Sequence, residues 1–333
     1  MANETVKIVR FHRLGGPEVL QMDELPLPEP GKGEVRLRVK AIGLNRAEVS
    51  FREGRYLLQP VLPSKIGYEA SGIVEAVGEG VDNAWVGKTA STVPAFPLDK
   101  YGVYGEVAIV PAYALAVYPA SLSFAEGTSI WMQYITAWGA LVHLGKMTKG
   151  DFVLLTAASS SVGLAAIEMA KAEGATSIAV TRTSAKKSKL EGAGADHVIA
   201  SDDEDLVARV NEITGGRGAR LVFDPIGGPI VEKLAACTAF QGMLFEYGAL
   251  SGEKTPFPLF TALSKSLTFR GYTLFEITPV PELRAEAERY VYDKVETGAF
   301  RPRIAKTFPL DEMVEAHRYM ESNQQIGKIV VMV

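Results

Sequence analysis

After Gly150 the chain settles into an alternation of short apolar runs and helical patterns, and this alternation limits the possible folds more than any other feature. Apolar runs fall at Phe152 to Ala157, Ser177 to Thr181, His197 to Ala200, Leu221 to Phe223 and Met243 to Tyr247. Amphipathic stretches at Leu164 to Glu173, Ala185 to Glu191 and Glu204 to Thr214 lie between them, and Ile230 to Phe240 precedes the last. Strands joined through helices must run parallel, because only a crossover returns the chain to the starting end of a sheet. The expectation is an α/β region built on a doubly wound parallel sheet, a Rossmann arrangement of the nucleotide-binding kind.

The loop after the first of these strands reads Thr156-Ala157-Ala158-Ser159-Ser160-Ser161-Val162-Gly163. A diphosphate needs small residues there so that backbone N–H groups can approach it, and the following helix N-terminus adds a favourable partial charge. Of G-x-G-x-x-G only Gly163 survives, so the reading rests on the strand, turn and helix around it; a serine-rich helix cap without a ligand is the competing reading. An NAD-selective fold places Asp or Glu about 20 residues further on, at the end of the second strand. Here that place reads Thr181-Arg182-Thr183-Ser184-Ala185-Lys186-Lys187. Cations and hydroxyls without a carboxylate suit a 2′-phosphate, so NADP(H) is expected over NAD.

The first third has a different texture. From Val6 to about Tyr118, short strands broken by Gly and Pro (Val35 to Ala41, Ser71 to Val77, Lys88 to Val93, Gly105 to Val110) predict an antiparallel, barrel-like β domain. Ser123, Phe124, Ala125 and Glu126 open a helical pattern that continues through Trp131 and Trp138. The tail holds helical stretches at Pro281 to Thr297 and Asp311 to Ser322 and an apolar strand, Gly327 to Met332, which must join the β domain or the last edge of the parallel sheet. The predicted domains are 1–122 with 275–333, and 123–274.

A chain of 333 residues is long enough for two cores. Its formal charge of −4 argues against nucleic acid as a partner. No apolar run approaches the roughly 20 residues of a membrane helix. Cys237 is the only cysteine, and Met1 to Arg10 reads as a strand and not as a secretory signal, so a reducing cytoplasm is expected. His12, His143, His197 and His317 are scattered without ligand spacing, and no metal is expected.

With these residues in hand, the chain resembles the medium-chain dehydrogenase/reductase superfamily and, within it, the zinc-independent quinone oxidoreductase branch. The resemblance runs over essentially the whole length. It rests on Gly15-Gly16-Pro17-Glu18-Val19-Leu20, Gly43-Leu44-Asn45-Arg46-Ala47-Glu48, Pro63-Ser64-Lys65-Ile66-Gly67-Tyr68-Glu69 continuing to Val74, Gln133-Tyr134-Ile135-Thr136-Ala137, the serine turn, Gly192-Ala193-Gly194-Ala195-Asp196 and Gly327-Lys328-Ile329-Val330. It implies a GroES-like β-barrel-type catalytic domain beside the Rossmann domain. The zinc enzymes of the superfamily carry Cys where this chain has Asn45 and His where it has Tyr68, and their four-cysteine loop has no counterpart here. The branch usually has two glycines where Ser160 and Ser161 stand. The resemblance assigns Asn45, Tyr56, Thr136, Ser160, Ser161, Val162, Gly163, Thr181, Arg182, Thr183, Lys186, Ser201, Tyr247, Gly248, Ala249 and Leu250 to cofactor binding, with Phe275 and Lys328 as weaker assignments.

Without a Lewis acid, the accessible chemistry is hydride addition to a carbon already activated by conjugation, in a quinone or an enone. The oxyanion formed needs donors and a proton, which Asn45, Tyr56, ribose hydroxyls or water can supply. Trp131, Tyr134 and Tyr272 are candidate walls for a flat substrate, with Tyr56 beside it. Competing readings are an enoyl-thioester reductase of the same superfamily and a non-catalytic, crystallin-like NADPH-binding protein. The resemblance also implies a homodimer, with Ser266 to Arg270 as a candidate edge strand.

Overall fold

The computed structural model describes residues 4–333, which divide into two compact units. One comprises residues 4–132, Thr278–Glu296 and Pro302–Val333; the other comprises Gln133–Ile277 and Thr297–Arg301.

The first unit is built on strand Glu34–Gly43, in which Val35, Leu37, Val39 and Ala41 alternate inward and are at most 1% exposed. Period-two alternation buries one face only, so the intervening Arg36 and Arg38 face outward; Arg38 Nε donates to Glu75 at 2.6 Å. Strands Glu69–Val77 and Val107–Pro111 pair antiparallel with it. The apolar terminal strand Lys328–Met332 also pairs antiparallel with it, Val330 opposite Gly43. Of the two destinations open to it, the terminal strand therefore takes the β unit. Its outer neighbour Ile304–Pro309 lacks an apolar face, and its Lys306 and Thr307 hid it from pattern reading. The strand expected over Met1 to Arg10 runs Thr5–Phe11, Met1 to Asn3 lying outside the described residues.

At Ser123 a capping box forms: its N–H donates to Glu126 Oε2 at 2.8 Å. The helix stops after Gly127, where a Cβ would lie 2.3 Å from the Tyr118 ring. Helix resumes at Trp131–Ala137 and passes into a wider π-type segment, Trp138–Leu144, so the single expected helical pattern is three pieces.

The second unit carries a six-stranded, all-parallel sheet in the order His197–Ala200, Thr176–Thr181, Phe152–Leu155, Ala219–Asp224, Thr238–Glu246, Thr268–Gly271. Leu154, Ile178, Val180, Ile199, Val222 and Leu244 form its interior. The first strand in sequence is central, and the chain winds away from it in one direction and then the other. Strand order reverses between Phe152–Leu155 and Ala219–Asp224, and the carboxyl ends of strands at such a reversal border the ligand crevice of doubly wound sheets. The stretch Ile230 to Phe240 splits into helix Ile230–Cys237 and the start of strand Thr238–Glu246. The helix expected at Ala185 to Glu191 is a 3₁₀ turn, Ser184–Lys186, followed by Lys187–Glu191. Among the described residues no helix is long and apolar enough to cross a membrane.

Candidate active site

In the second unit the serine turn sits at the strand-order reversal. Strand Phe152–Leu155 ends, Ala157 takes a left-handed backbone (φ +45°), and Ser160 caps helix Ser161–Ala172 by accepting the Gly163 N–H at 3.0 Å. A Cβ at Gly163 would lie 2.6 Å from the backbone of Ala158. The one surviving glycine of the motif is thus the one that lets helix and turn pack closely. Ser161 and Val162 form the first helical turn, partly exposed.

At the end of the second strand Thr181 is buried, while Arg182 and Thr183 are exposed. Lys186 turns back toward the serine turn, and its Nζ donates to Ser159 Oγ at 3.1 Å. Burial, then the positive charges of Arg182 and Lys189, hold the Lys186 ammonium below its ordinary value. An anion here would relieve that repulsion. Ser201, whose N–H donates to Thr181 O at 2.9 Å, borders the same end. A carboxylate the linear reading missed, Asp203, reaches this loop from the turn after the next strand; it accepts the Ser184 N–H at 3.1 Å.

Tyr247 stacks on Phe223, ring centroids 3.9 Å apart, and its N–H donates to Asp224 O. Gly248 to Leu250 then run exposed over Pro225, with the Leu250 N–H on Pro225 O. A Cβ at Gly248 would meet that same Pro225 carbonyl oxygen at 2.7 Å. Thr136 is buried and Phe275 partly so. A carboxyl pair unseen in the sequence lies beside the crevice. Asp224, last residue of its strand, accepts the Thr156 hydroxyl and, at 2.7 Å, the Gly227 N–H. Its strand neighbour Glu246 is pushed up to about 9 by burial and by the Asp224 charge.

In the first unit, strand Glu34–Gly43 delivers Asn45 to the N-cap of helix Arg46–Arg52. Asn45 is buried at 7% exposure. Its Nδ2 faces Gly43 O (3.2 Å), Glu48 Oε1 (3.3 Å) and Glu69 Oε2 (3.2 Å). Its Oδ1 accepts from Lys328 Nζ at 2.6 Å. An amide has two N–H donors, and both are engaged. The donor expected at Asn45 is therefore committed to the unit's own interior. Lys328 is likewise an interior residue, 1% exposed and ion-paired with Glu69. Glu69 Oε1 also accepts the Met132 N–H at 2.8 Å. At Gly43 a Cβ would lie 2.3 Å from the Thr128 carbonyl oxygen and 2.8 Å from Lys328 Cε, so the fixed backbone of Thr128 leaves room only for glycine.

Tyr56 is partly buried, edge-on to Phe51. Burial holds its phenol above the ordinary value, partly offset by hydrogen bonding to Tyr68. Trp131, Tyr134 and Tyr272 are interior side chains, not presented walls: each is at most 2% exposed. Trp131 Nε1 donates to Ser91 Oγ at 2.7 Å; Tyr134 stacks on Phe300 and donates to Glu168; Tyr272 packs edge-on to Phe245. Their apolar bulk served the core better than a pocket.

The amide of Asn45 and the phenol of Tyr68 are not a zinc donor set, which takes thiolate, imidazole or carboxylate around one point. Among the described residues no group of three His, Cys, Asp or Glu side chains is placed to hold a metal.

A GroES-like β unit joined to a Rossmann unit is the architecture of a dehydrogenase/reductase. Two domain families match the chain: "Alcohol dehydrogenase GroES-like domain" over residues 31–120 and "Zinc-binding dehydrogenase" over residues 161–289. A 2-haloacrylate reductase of a Burkholderia species is 32% identical over 330 residues, 97% of each chain. The structure of Escherichia coli quinone oxidoreductase complexed with NADPH is 32% identical with a TM-score of 0.92, over 98% of this chain and 100% of that one. The structure of an NAD-dependent alcohol dehydrogenase is also 32% identical, with a TM-score of 0.90 over 98% of this chain and 99% of that one. The chain belongs to the quinone oxidoreductase family of the medium-chain dehydrogenase/reductase superfamily.

Proposed function

We propose that this protein is a zinc-independent reductase that uses NADPH to reduce a quinone or a carbon–carbon double bond conjugated to a carbonyl. The observation that carries the reading is Lys186, partly buried beside Arg182 and bonded to Ser159, where an NAD-selective fold keeps a carboxylate. The two cations suit a ribose 2′-phosphate, while Ser160 to Gly163 at the helix N-terminus suit the diphosphate. When bound, the reduced nicotinamide supplies hydride. Quinones and 2-haloacrylates, the acceptors in the relatives' names, share a carbon drained of electrons by conjugation, which supports the same class here.

On the protein's side, Tyr56 is the proposed donor to the developing oxyanion. Its burial keeps the phenol protonated through the neutral range, so Oη can donate. Asn45 contributes a fixed amide and not a free donor, its remaining Oδ1 lone pair available as an acceptor. Two further proposals accompany this one. The protein is cytoplasmic, in keeping with a single, buried Cys237. It is also a homodimer: Phe257, Leu259, Phe260 and Leu263 leave an apolar surface beside the edge strand Thr268–Gly271, with Phe260 85% exposed.

The test mixes purified protein with NADPH or NADH and with 1,4-benzoquinone, a naphthoquinone and a simple enone, and follows loss of reduced-cofactor absorbance with and without EDTA. NADPH-selective, chelator-insensitive turnover is expected. Turnover abolished by EDTA, or none with any acceptor, would overturn the reading. Light scattering decides the dimer.

A further inference from the structure

A chain of buried polar side chains crosses the first unit from helix Met313–Glu321 to Asn45. Arg52 Nη1 lies 2.9 Å from His317 Nδ1, and His317 Nε2 lies 3.1 Å from Tyr104 Oη. Tyr104 Oη in turn lies 2.5 Å from Glu48 Oε2. Arg52, His317, Tyr104 and Glu48 are each at most 1% exposed. Arg52 is anchored by Glu321 at 2.8 Å and by Gly15 O.

The direction of every bond in this chain follows from its first member. A guanidinium only donates, so His317 Nδ1 accepts. A neutral imidazole then carries its proton on Nε2 and donates to Tyr104 Oη. The Tyr104 hydroxyl proton is left to donate to Glu48. Glu48 Oε2 also receives the Asn45 N–H at 2.7 Å, and Oε1 receives the Tyr68 N–H at 2.9 Å and Asn45 Nδ2 at 3.3 Å. All four partners donate, which an ionised carboxylate alone can satisfy.

We propose that Arg52, His317 and Tyr104 are a one-way hydrogen-bond relay that keeps Glu48 ionised, and that Glu48 is the positioning residue for Asn45 and Tyr68. These are the two positions that carry metal ligands in the superfamily's zinc enzymes. The inference rests on the reductase reading for the claim that this floor matters to turnover. Burial opposes the charge, holding the Glu48 carboxyl above its ordinary value, against the donors and the Lys328 ammonium. The other titratable groups around it are Tyr56 and Tyr68, whose phenols sense its charge, Glu69 across Asn45, and Arg52 and His317 beyond Tyr104. Removing the Tyr104 hydroxyl therefore raises the pH at which Glu48 loses its proton.

Tyr104→Phe, His317→Leu and His317→Gln test this. In Tyr104→Phe and His317→Leu, kcat with NADPH and 1,4-benzoquinone is expected about tenfold lower at pH 6 than at pH 8, while wild type changes less than about twofold. KM for NADPH stays within about twofold of wild type, because the phosphate turn belongs to the other unit. His317→Gln, whose amide can accept from Arg52 and donate to Tyr104, restores the wild-type profile. An unchanged profile in Tyr104→Phe, or no rescue by Gln over Leu, overturns the relay. Thermal unfolding against pH needs no turnover: the stability deficit of Tyr104→Phe should widen as pH rises from 5 to 8. A deficit independent of pH refutes the relay; a widening one in a protein inert to every acceptor supports it while the reductase reading fails.

Discussion

Replacing Lys328 by Met removes the only cation bonded to Glu69 among the described residues, Glu69 being a carboxylate 1% exposed. Glu69 then keeps two donors, the Met132 N–H and Asn45 Nδ2, and no opposite charge. Breaking a buried ion pair from one side costs about 3–5 kcal/mol, because the surviving charge stays desolvated. For a unit of this size each kcal/mol moves the melting temperature by roughly 2–4 °C, so a fall of roughly 10 °C is expected. Glu69→Gln strands the ammonium with Asn45 Oδ1 and should cost a similar amount. The double variant leaves no buried charge at this pair, and its cost should fall short of the sum of the singles by about 2 kcal/mol or more. Denaturant and thermal unfolding of the four proteins complete the cycle. A Lys328→Met cost below about 1 kcal/mol, or additive costs, would refute the argument that the ammonium compensates Glu69. Since Lys328 also holds Asn45 Oδ1, kcat should fall in Lys328→Met with little change in NADPH affinity.

Three further outcomes follow from the geometry. His317 is pushed down to about 3 by burial and by the nearby Arg52 and Arg46, so the folded state binds fewer protons than the unfolded below pH 6.5. Its contribution is complete above pH 6.5 and is lost on acidification toward pH 3, up to about 5 kcal/mol, and His317→Gln should flatten this dependence in thermal unfolding. Glu246 shifts the other way: its contribution is complete below its unfolded value and is lost as pH rises toward 9, so Glu246→Gln should melt higher than wild type at pH 9 and not at pH 5. Lys186→Met and Arg182→Ala should each weaken NADPH binding by roughly 10-fold to 100-fold and leave NADH nearly unchanged; equal losses for both cofactors would remove the 2′-phosphate assignment.

Much of this protein could be read in one dimension. The parallel sheet was visible because strand and helix periods repeat within a few residues, and five of its six strands lie at or near the apolar runs that announced them. The serine turn and the basic loop are contiguous segments, and their proposed chemistry follows from the residues in order. The helix start at Ser123 was visible for the same reason, since the residues that open a helix are neighbours in sequence. Strand Ile304–Pro309 was not visible, because an edge strand with little apolar surface leaves no period to detect.

What only the tertiary structure decided is the polar interior. Lys328 meets Asn45 across 283 residues of sequence and Arg52 meets His317 across 265. Neither pair leaves a local trace: His317 looked like any isolated histidine, and Lys328 like part of a strand motif. The Asp224 and Glu246 pair arises because parallel strands bring their carboxyl ends side by side. The physical reason is the range of the forces involved. Helix and strand periods arise from neighbouring residues, so sequence by itself determined the element types and the serine turn between strand and helix. A buried polar group is tolerable only when the whole fold brings it a partner, so the identity of each partner, and with it the roles of Asn45, Glu48 and His317, was decided by three-dimensional packing alone.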